Sequence, residues 1–451
     1  MIRFSLKQLL GITKGYLEGA NLTISKVSTN SKECEGALFI ALIGERFDGH
    51  DFIDDAVEHG CVAVVSSRRA RYLDVPVVYV KDTLRALGNC GMLVRDKFRG
   101  KLCSITGSCG KTTVKEMTAA ICAQHGKTMY TQGNFNNDVG VPLTLLNLET
   151  DTKYAIIEQG ASHLDDIART CKYVKSRLAL INNVGIAHVE GFGSKDNVYK
   201  GKSEILDAVF KYDDGVGIVN ADNEYYDRWK KDYAKFYETG RLRSFGTAKD
   251  AFVRLGDVKQ EGESLRFSLS QGPRGVEIGI NILGEHNAHN AAAAAALALS
   301  MGFTLEEVRT GLNSYVPMGG RLNIVKTEPF RLIDDAYNAS YNAVISAIDT
   351  LAGFSGRKVL IFADMKELGD EAVSAHEKVG DHAKSQVDEI LCFGELAKIT
   401  AERAGDKAKH FNLLEDLLKY VQQHIISEKD LTILVKGSHS MGLDQVVKSL
   451  T

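Results

Sequence analysis

The eight residues Thr106-Gly107-Ser108-Cys109-Gly110-Lys111-Thr112-Thr113 lie between the apolar run LCSIT and a segment whose Val114, Met117 and Ile121 share one helical face. A strand, a glycine turn and an amphipathic helix in that order make a phosphate-binding loop. Glycines let the backbone approach the phosphates, and successive N–H groups converge at the helix N-terminus, where the dipole favours an anion. Lys111 would reach the β/γ oxygens and the Thr112 hydroxyl would complete a magnesium shell. Gly107, Ser108, Cys109, Gly110 and Thr113 supply the rest of the cradle. The general pattern carries a glycine where Ile105 stands, so a glycine-rich turn without a ligand is the alternative.

At 451 residues the chain is long enough for about three domains. Lys and Arg total 55 against 58 Asp and Glu, a net charge of −3 that argues against a polybasic nucleic-acid or membrane surface. The longest apolar run, Ala291 to Leu299, falls far short of the roughly 20 residues of a spanning helix. Cysteines 34, 61, 90, 103, 109, 122, 171 and 392 form no CxxC pair, and the N-terminus lacks signal-peptide organisation. A reduced, cytoplasmic protein without structural zinc or a disulfide frame is expected.

Short buried runs at 37–42, 61–65 and 75–80 read as strands, and 154–157, 178–181 and 216–219 continue the pattern after the loop. Strands alternating with helices imply a parallel sheet covered on both faces. Near residue 262 the period changes: Leu265, Phe267 and Leu269, then Val276, Ile278, Ile280 and Ile282, alternate with polar or small residues around the turn QGPRG, an antiparallel hairpin. An alanine-rich helix from about Asn287 to Met301 follows. After Pro317 a fresh alternation places strands at 332–334, 358–363, 389–393 and 432–435. The fold class is α/β with domains 1–80, 81–316 and 317–451.

Magnesium takes hard oxygen ligands, so acids at strand ends are candidates. Glu158 closes the run YAII at a carboxyl end, where open α/β sheets bind ligands, and His188 follows the next strand into the same crevice. Alone, Glu158 also reads as a solvated strand end and His188 as a hydrogen-bonded loop histidine.

TGSCGKTTVKEM, GNFNNDVGVPLTLL (133–146), AHVEGFGS (187–194), LGEHNAHNAAAA (283–294), DDAYNAS (334–340), DMKELG (364–369) and VKGSHS (435–440) together resemble the Mur ligases, ATP-dependent amide ligases of peptidoglycan precursor synthesis. FIALIGERFDGHDF (39–52) is similar to their F-type branch. The resemblance implies a small mixed α/β N-terminal domain for the UDP-sugar. A central P-loop-type parallel-sheet ATPase domain and a Rossmann-like C-terminal domain closing over ATP and the incoming dipeptide would follow. It implies that ATP phosphorylates the terminal carboxylate of UDP-MurNAc-tripeptide and that D-alanyl-D-alanine attacks the acyl phosphate to give the pentapeptide. Small molecules would be the partners of a monomer.

By position, the resemblance gives Lys111, Glu158, His188 and Lys202 to catalysis and Thr112, Glu158, His188 and Lys202 to two magnesium sites. Lys202, in KGKSEIL, matches a lysine whose carbamate bridges metal, although a solvated helix lysine fits the local sequence equally. Asn287 and Asn290 would face adenine; Asn287 could instead cap its helix. Arg321 would contact ATP and Asp335 its ribose, unless each is only a surface charge. Tyr337 and Asn338 would meet substrate in the closed site, and Asn134 and Asn137 would lie near the reacting end of the UDP-substrate. Ser31 falls in the uridine-diphosphate motif. Three departures stand out: Asn30 and Lys32 replace the usual Asp and Arg around Ser31, Ser162 stands where asparagine is expected, and PMGG precedes Arg321.

A folylpolyglutamate synthetase-like or cyanophycin synthetase-like ligase is a rival, but a folate ligase would begin close to the phosphate loop. A nucleotide-binding scaffold without catalysis and a bare phosphate-loop NTPase or kinase are the others. Substrates bridging three domains would require the domains to close.

Overall fold

The computed structural model describes residues 1–69, 73–185, 189–317, 319–326, 329–426 and 428–451. Its strands form a two-stranded ribbon and sheets of five, nine and six strands. The five-stranded sheet runs Tyr16–Glu18, Val77–Tyr79, Ala63–Ser66, Leu38–Ile40, Val27–Ser28, antiparallel at its first pair and parallel thereafter. Alternation across these strands splits their apolar residues between two faces. Phe39, Val64 and Val77 pack with Ile53 and Ala56 on one side. Leu38, Ile40, Ala63, Val65 and Val78 turn the other way, onto Ala86, Leu87, Cys90 and Val94 of the helix Thr83–Lys97. That helix starts at Asp82, whose side chain accepts from the Arg85 N–H and so caps it. The same core continues into Leu102, Val141, Leu145 and Ile157, so the first sheet is anchored on the second.

The nine-stranded sheet is ordered Arg274–Ile280, Ser264–Gln271, Val253–Glu261, Leu242–Gly246, Val216–Asn220, Leu178–Ile181, Lys101–Thr106, Tyr154–Glu158, Thr128–Tyr130. The first two strands, Arg274–Ile280 and Ser264–Gln271, add antiparallel at one edge, and the other seven are parallel neighbours. The hairpin expected after residue 262 is present. Three strands escape the sequence reading: Thr128–Tyr130, Leu242–Gly246 and Val253–Glu261. In the last, Val253 and Leu255 are buried but the register shifts after Gly256 and the remainder turns polar and exposed, which hides the period.

The alanine-rich helix, His286–Ser300, begins one residue before the expected start, and Ala291 through Ala296 are fully buried. Methyl-sized side chains let it lie close against the phosphate-loop helix Lys111–Ala123 and the sheet beneath. The helix Leu305–Asn313 packs against both of these helices, meeting Lys111–Ala123 at Gly311.

The six-stranded sheet is ordered Asn323–Lys326, Arg331–Asp335, Leu431–Lys436, Arg357–Ala363, Glu389–Phe393, Ala408–Phe411, parallel except at the first pair. Helices cover both faces: Val344, Ile348 and Val379 pack on one and Leu417, Val421 and Val446 on the other. This is the Rossmann-like arrangement expected. No helix among the described residues is long and apolar enough to cross a membrane.

A Cβ at Gly311 would fall 2.5 Å from the Ile121 Cα on the phosphate-loop helix. Gly311→Ala gains about 1 kcal/mol of helix propensity and forces two packed helices apart at a cost of about 1–3 kcal/mol. We expect a net loss of stability, read as a lower Tm by calorimetry; an unchanged or raised Tm would show that the helix pair has slack.

Candidate active site

The parallel strands of the second and third sheets end facing one another across a cleft of about 950 Å³. From the central sheet come the phosphate loop after Lys101–Thr106, Glu158, Asn182 and Asn183 after Leu178–Ile181, and Asn220. The C-terminal sheet contributes Asp335, Tyr337, Lys366, Lys436 and Ser438.

Gly110 is the N-cap of the phosphate-loop helix at φ 75°. A side chain there would be strained, and its Cβ would strike Asn182 Nδ2 and Asn290 Oδ1 at 2.5 Å. Asn183 Oδ1 accepts from Cys109 N–H at 2.9 Å, while Asn182 and Asn183 both donate to the Cys109 carbonyl. Ser108 Oγ donates to the Gly185 carbonyl at 3.3 Å. Lys111 Nζ donates to the Gly107 carbonyl at 2.8 Å, bracing the loop with its own charge.

Behind the loop, the buried Glu158 carboxylate accepts from the Thr112 hydroxyl at 2.9 Å through Oε2 and from Asn136 Nδ2 at 2.8 Å through Oε1. Its backbone N–H donates to Thr131 Oγ1. Lys115, only 1% exposed, places Nζ 3.8 Å from Glu158 Oε2 and 4.0 Å from Glu116 Oε1. Burial draws the Lys115 ammonium below its usual range, opposed by those two acids; burial raises Glu116, opposed by Lys115. Glu116 Oε2 accepts from the Tyr315 hydroxyl at 3.3 Å.

The paired Thr112 and Glu158 oxygens are hard donors beside the phosphate cradle, and they fit magnesium. Among the described residues no three His, Cys, Asp or Glu cluster as a closed metal cage. His188 lies outside the described residues.

Lys202 is fully buried, on the helix Lys195–Val209, with Nζ donating to the Ala161 carbonyl at 3.2 Å and facing the Phe192 ring. Burial pushes its amine down to about 7, and the Lys111 charge adds to the shift. The reading as a solvated lysine is thereby removed.

Asn287 and Asn290 are buried in a chain of amides: Asn182 Nδ2 to Asn290 Oδ1, Asn290 Nδ2 to Asn287 Oδ1, Asn287 Nδ2 to the Leu283 carbonyl. Asn287 stands inside the first turn and does not cap the helix, whose N-cap is Glu285. Beside them, burial first and Lys436 second draw His286 down to about 4, leaving a neutral imidazole on the cleft wall.

In the C-terminal domain, Asp335 receives Lys436 Nζ at 2.5 Å and the Leu322 N–H at 3.2 Å. Lys436 also donates to the Asn338 carbonyl. Burial raises the Asp335 carboxyl, against the pull of Lys436. The Arg321 guanidinium lies 4.2 Å from the Tyr337 ring centroid. Asn134 and Asn137 line the cleft, but Asn137 Oδ1 is engaged by the Val139 and Gly140 N–H groups. Ser31 begins a short 3₁₀ turn in the first sheet's domain and is not on the cleft wall.

Sequence reasoning passed over Asn136, Asn182, Lys115 and Lys436. Lys115 stands one turn beyond Lys111 and reads there as a helix-surface lysine; the burial of its whole turn becomes visible only once the alanine helix is packed on it.

Removing the Lys115 charge leaves Glu158 and Glu116 buried with less compensation. Lys115→Met is expected to lower unfolding stability by about 3–5 kcal/mol, and adding Glu116→Gln to recover part of it, both read by urea denaturation. A loss indifferent to Glu116→Gln would contradict the network.

For Lys202, the folded chain binds fewer protons than the unfolded chain between about pH 7 and the ordinary lysine value of 10.5. Stability therefore rises with pH across that window, by up to about 1.4 kcal/mol per unit. In Lys202→Met this slope disappears, so the parent gains on the variant from pH 7 to 10 in melting experiments; parallel profiles would argue that Lys202 stays charged.

Three family models match the chain in order: Mur ligase family, catalytic domain, over 23–91; Mur ligase middle domain over 105–298; and Mur ligase, glutamate ligase domain, over 320–439. The UDP-N-acetylmuramoyl-tripeptide–D-alanyl-D-alanine ligase of Escherichia coli is 38% identical, covering 100% of this chain and 99% of its own. The Bacillus subtilis enzyme of the same name is 33% identical over 100% and 99%. A crystal structure of MurF from Acinetobacter baumannii superposes with TM-score 0.92 at 31% identity, covering 100% and 99%. MurF ligase from Thermotoga maritima in complex with ADP gives TM-score 0.83 at 26% identity over 94% and 96%. A Mycobacterium tuberculosis folylpolyglutamate synthase, 16% identical over 81% of this chain, shares the fold alone. Matched along its whole length, and carrying the phosphate loop and the buried Glu158 in one cleft, the chain belongs to the Mur ligase family, among the F-type enzymes.

Proposed function

We propose that the chain is an ATP-dependent, ADP-forming ligase that joins D-alanyl-D-alanine to UDP-MurNAc-tripeptide, giving UDP-MurNAc-pentapeptide. The observation that carries this reading is one cleft lined by the phosphate loop, the Thr112–Glu158 pair and, from the opposite domain, Arg321, Asp335 and Lys436. The relatives' names and the ADP complex of the Thermotoga maritima structure support it.

A carboxylate is a poor electrophile until one oxygen can leave as phosphate. A terminal carboxylate oxygen attacks the γ-phosphorus, the bridging P–O bond breaks, and ADP departs. The neutral amine of the dipeptide then attacks the acyl carbon. A C–N bond forms, the C–O bond to phosphate breaks, and the nitrogen gives up one proton. The residues' task is to hold several anionic groups together. The N–H groups at the helix N-terminus receive the phosphates. Lys111 and Arg321, from different domains, neutralise charge from opposite sides. The Asn134 and Asn137 loop and, from the other wall, Tyr337 and Asn338 line the cleft, suited to the carboxylate and to the dipeptide respectively.

Thr112 and Glu158 would hold magnesium, with His188 and Lys202 serving a second ion; when bound, magnesium neutralises phosphate charge. Lys202, its amine drawn down to about 7 by burial, is suited to carbamylation: its neutral nitrogen bonds to the carbon of carbon dioxide and loses a proton, leaving an anionic oxygen donor. The eight cysteines are unpaired, which supports work in a reducing compartment, the cytoplasm.

The test is phosphate release from ATP and magnesium with UDP-MurNAc-tripeptide, with and without D-alanyl-D-alanine, the product followed by mass spectrometry. One amide per ATP, dependent on the dipeptide, is expected. Lys111→Ala should lower the rate about 10²–10³-fold with the fold intact. Release without an amine acceptor would make the chain an NTPase, and near-normal turnover by the variant would refute the phosphate-loop assignment.

A further inference from the structure

Leu283 belongs by sequence to one domain and by packing to the next. It lies within the span matched to the Mur ligase middle domain, 105–298, shortly after the strand Arg274–Ile280. Its side chain is 1% exposed and sits in the apolar core of the C-terminal domain, with Leu322, Ile333, Val344, Ile348 and Leu351. Among the described residues, every other buried member of that core comes from position 322 onwards.

The segment that presents it is held firmly. Gln260, on the strand Val253–Glu261, accepts from the Gly284 N–H at 3.0 Å and donates to the Ile282 carbonyl at 3.3 Å, bracketing Leu283 on both sides. Gly284 then turns at φ 86°, where a Cβ would fall 2.5 Å from the His286 ring and 3.0 Å from the Thr350 hydroxyl of the helix Tyr341–Ala352. The Leu283 carbonyl accepts from Asn287 Nδ2 at 2.7 Å, so it ends the amide chain that begins at the Cys109 carbonyl of the phosphate loop. One residue thus carries the phosphate loop's hydrogen bonds on its backbone and the C-terminal domain's core on its side chain.

Other contacts between these domains part more easily. A Cβ at Gly185 would fall 2.9 Å from Asn342 Nδ2, and one at Gly369 would fall 3.1 Å from the Glu190 Cα. Asn342 and Glu190 are exposed, so water can replace either contact. Withdrawing Leu283 would instead wet an apolar side chain and leave a void in the core it fills. The covalent crossing between Tyr315, in the central core, and Leu322, in the C-terminal one, is a second attachment. A body held at two points keeps rotation about the line through them, so the C-terminal wall can swing while its seat on Leu283 holds.

We propose that Leu283 is a positioning residue for the ligase reaction, the seat on which the C-terminal domain turns and through which nucleotide at the phosphate loop sets that domain's position. The assignment rests on the ligase reading above.

The test compares the full chain with Leu283→Ala and with Leu351→Ala, which removes the same kind of side chain from the same core but within one domain. Calorimetry reads magnesium-ADP binding. Hydrogen exchange reads the helix Tyr341–Ala352 with and without magnesium-ADP, and dipeptide-dependent phosphate release gives kcat and KM. In the unaltered chain, ADP is expected to slow exchange in that helix as well as in Lys111–Ala123. Leu283→Ala should bind ADP as the unaltered chain does and confine the slowing to Lys111–Ala123. Its kcat should fall roughly 10- to 100-fold with KM for ATP little changed. Leu351→Ala should melt lower yet keep the transmitted slowing and most of kcat, and Leu283→Met should restore both. If the alanine variants do not fold, Leu283→Val and Ile348→Val carry the same comparison. Equal kcat losses in the two core variants would overturn the proposal and leave Leu283 a core residue, as would transmitted slowing that persists in Leu283→Ala. An unaltered chain that transmits the slowing but forms no amide would refute the ligase reading and uphold the assignment; amide formation without slowed exchange in that helix would do the reverse.

Discussion

The site depends on one carboxylate held in a place where carboxylates are costly. Glu158 is buried at the carboxyl end of a central strand, where a carboxylate without hydrogen-bond partners is costly. Thr112 from the phosphate-loop helix and Asn136 from the loop after Thr128–Tyr130 hydrogen-bond it, and Lys115, one turn further along that helix, supplies a counter-charge. Because these partners come from separate elements, the carboxylate reports the correct assembly of all of them. Its oxygens also stand beside the phosphate cradle as hard donors of the kind magnesium takes.

Close packing then decides where one wall of the cleft can be. The fully buried alanines 291–296 let the helix His286–Ser300 settle against the phosphate-loop helix, which brings Asn287 and Asn290 level with Gly110. Larger side chains at those alanines would lift the helix and break the amide chain from Asn182 to Leu283. A weakly amphipathic, alanine-rich stretch is therefore a precise spacer, and Gly110 is the corresponding concession in the loop: any Cβ there would collide with the amides that the spacer delivers.

Much of this was legible in the sequence. The phosphate loop announced itself because its chemistry, its turn and its flanking elements are contiguous. Glu158 was legible from its place at the end of YAII. The strands Thr128–Tyr130 and Val253–Glu261 were not: the first is three residues long, and the second changes register within itself. Lys115, Asn136 and Lys436 were passed over for a common reason. Each is polar, each reads locally as solvent-facing, and each is buried or engaged only by residues distant in the chain. The burial of Lys202 has the same origin, and there the family resemblance carried what periodicity could not.

The arrangement of the two large sheets accounts for the kind of chemistry the cleft can support. In a single open sheet, ligands gather at the carboxyl ends of the strands, where helix N-termini and loops converge. Here two such ends face each other, so positive charge is available from both sides: Lys111 on one, Arg321 and Lys436 on the other. Lys436 is paired with Asp335, which fixes the C-terminal wall, while Arg321 lies over the Tyr337 ring. Tyr315, just before the chain crosses into the C-terminal domain, hydrogen-bonds Glu116 and so ties that crossing to the acid pair around Lys115. The segment that leads to Arg321 on the cleft wall is thereby anchored on the charge network that positions Glu158. A reaction that must collect a nucleotide, a carboxylate and an amine needs this mechanical link between its two walls.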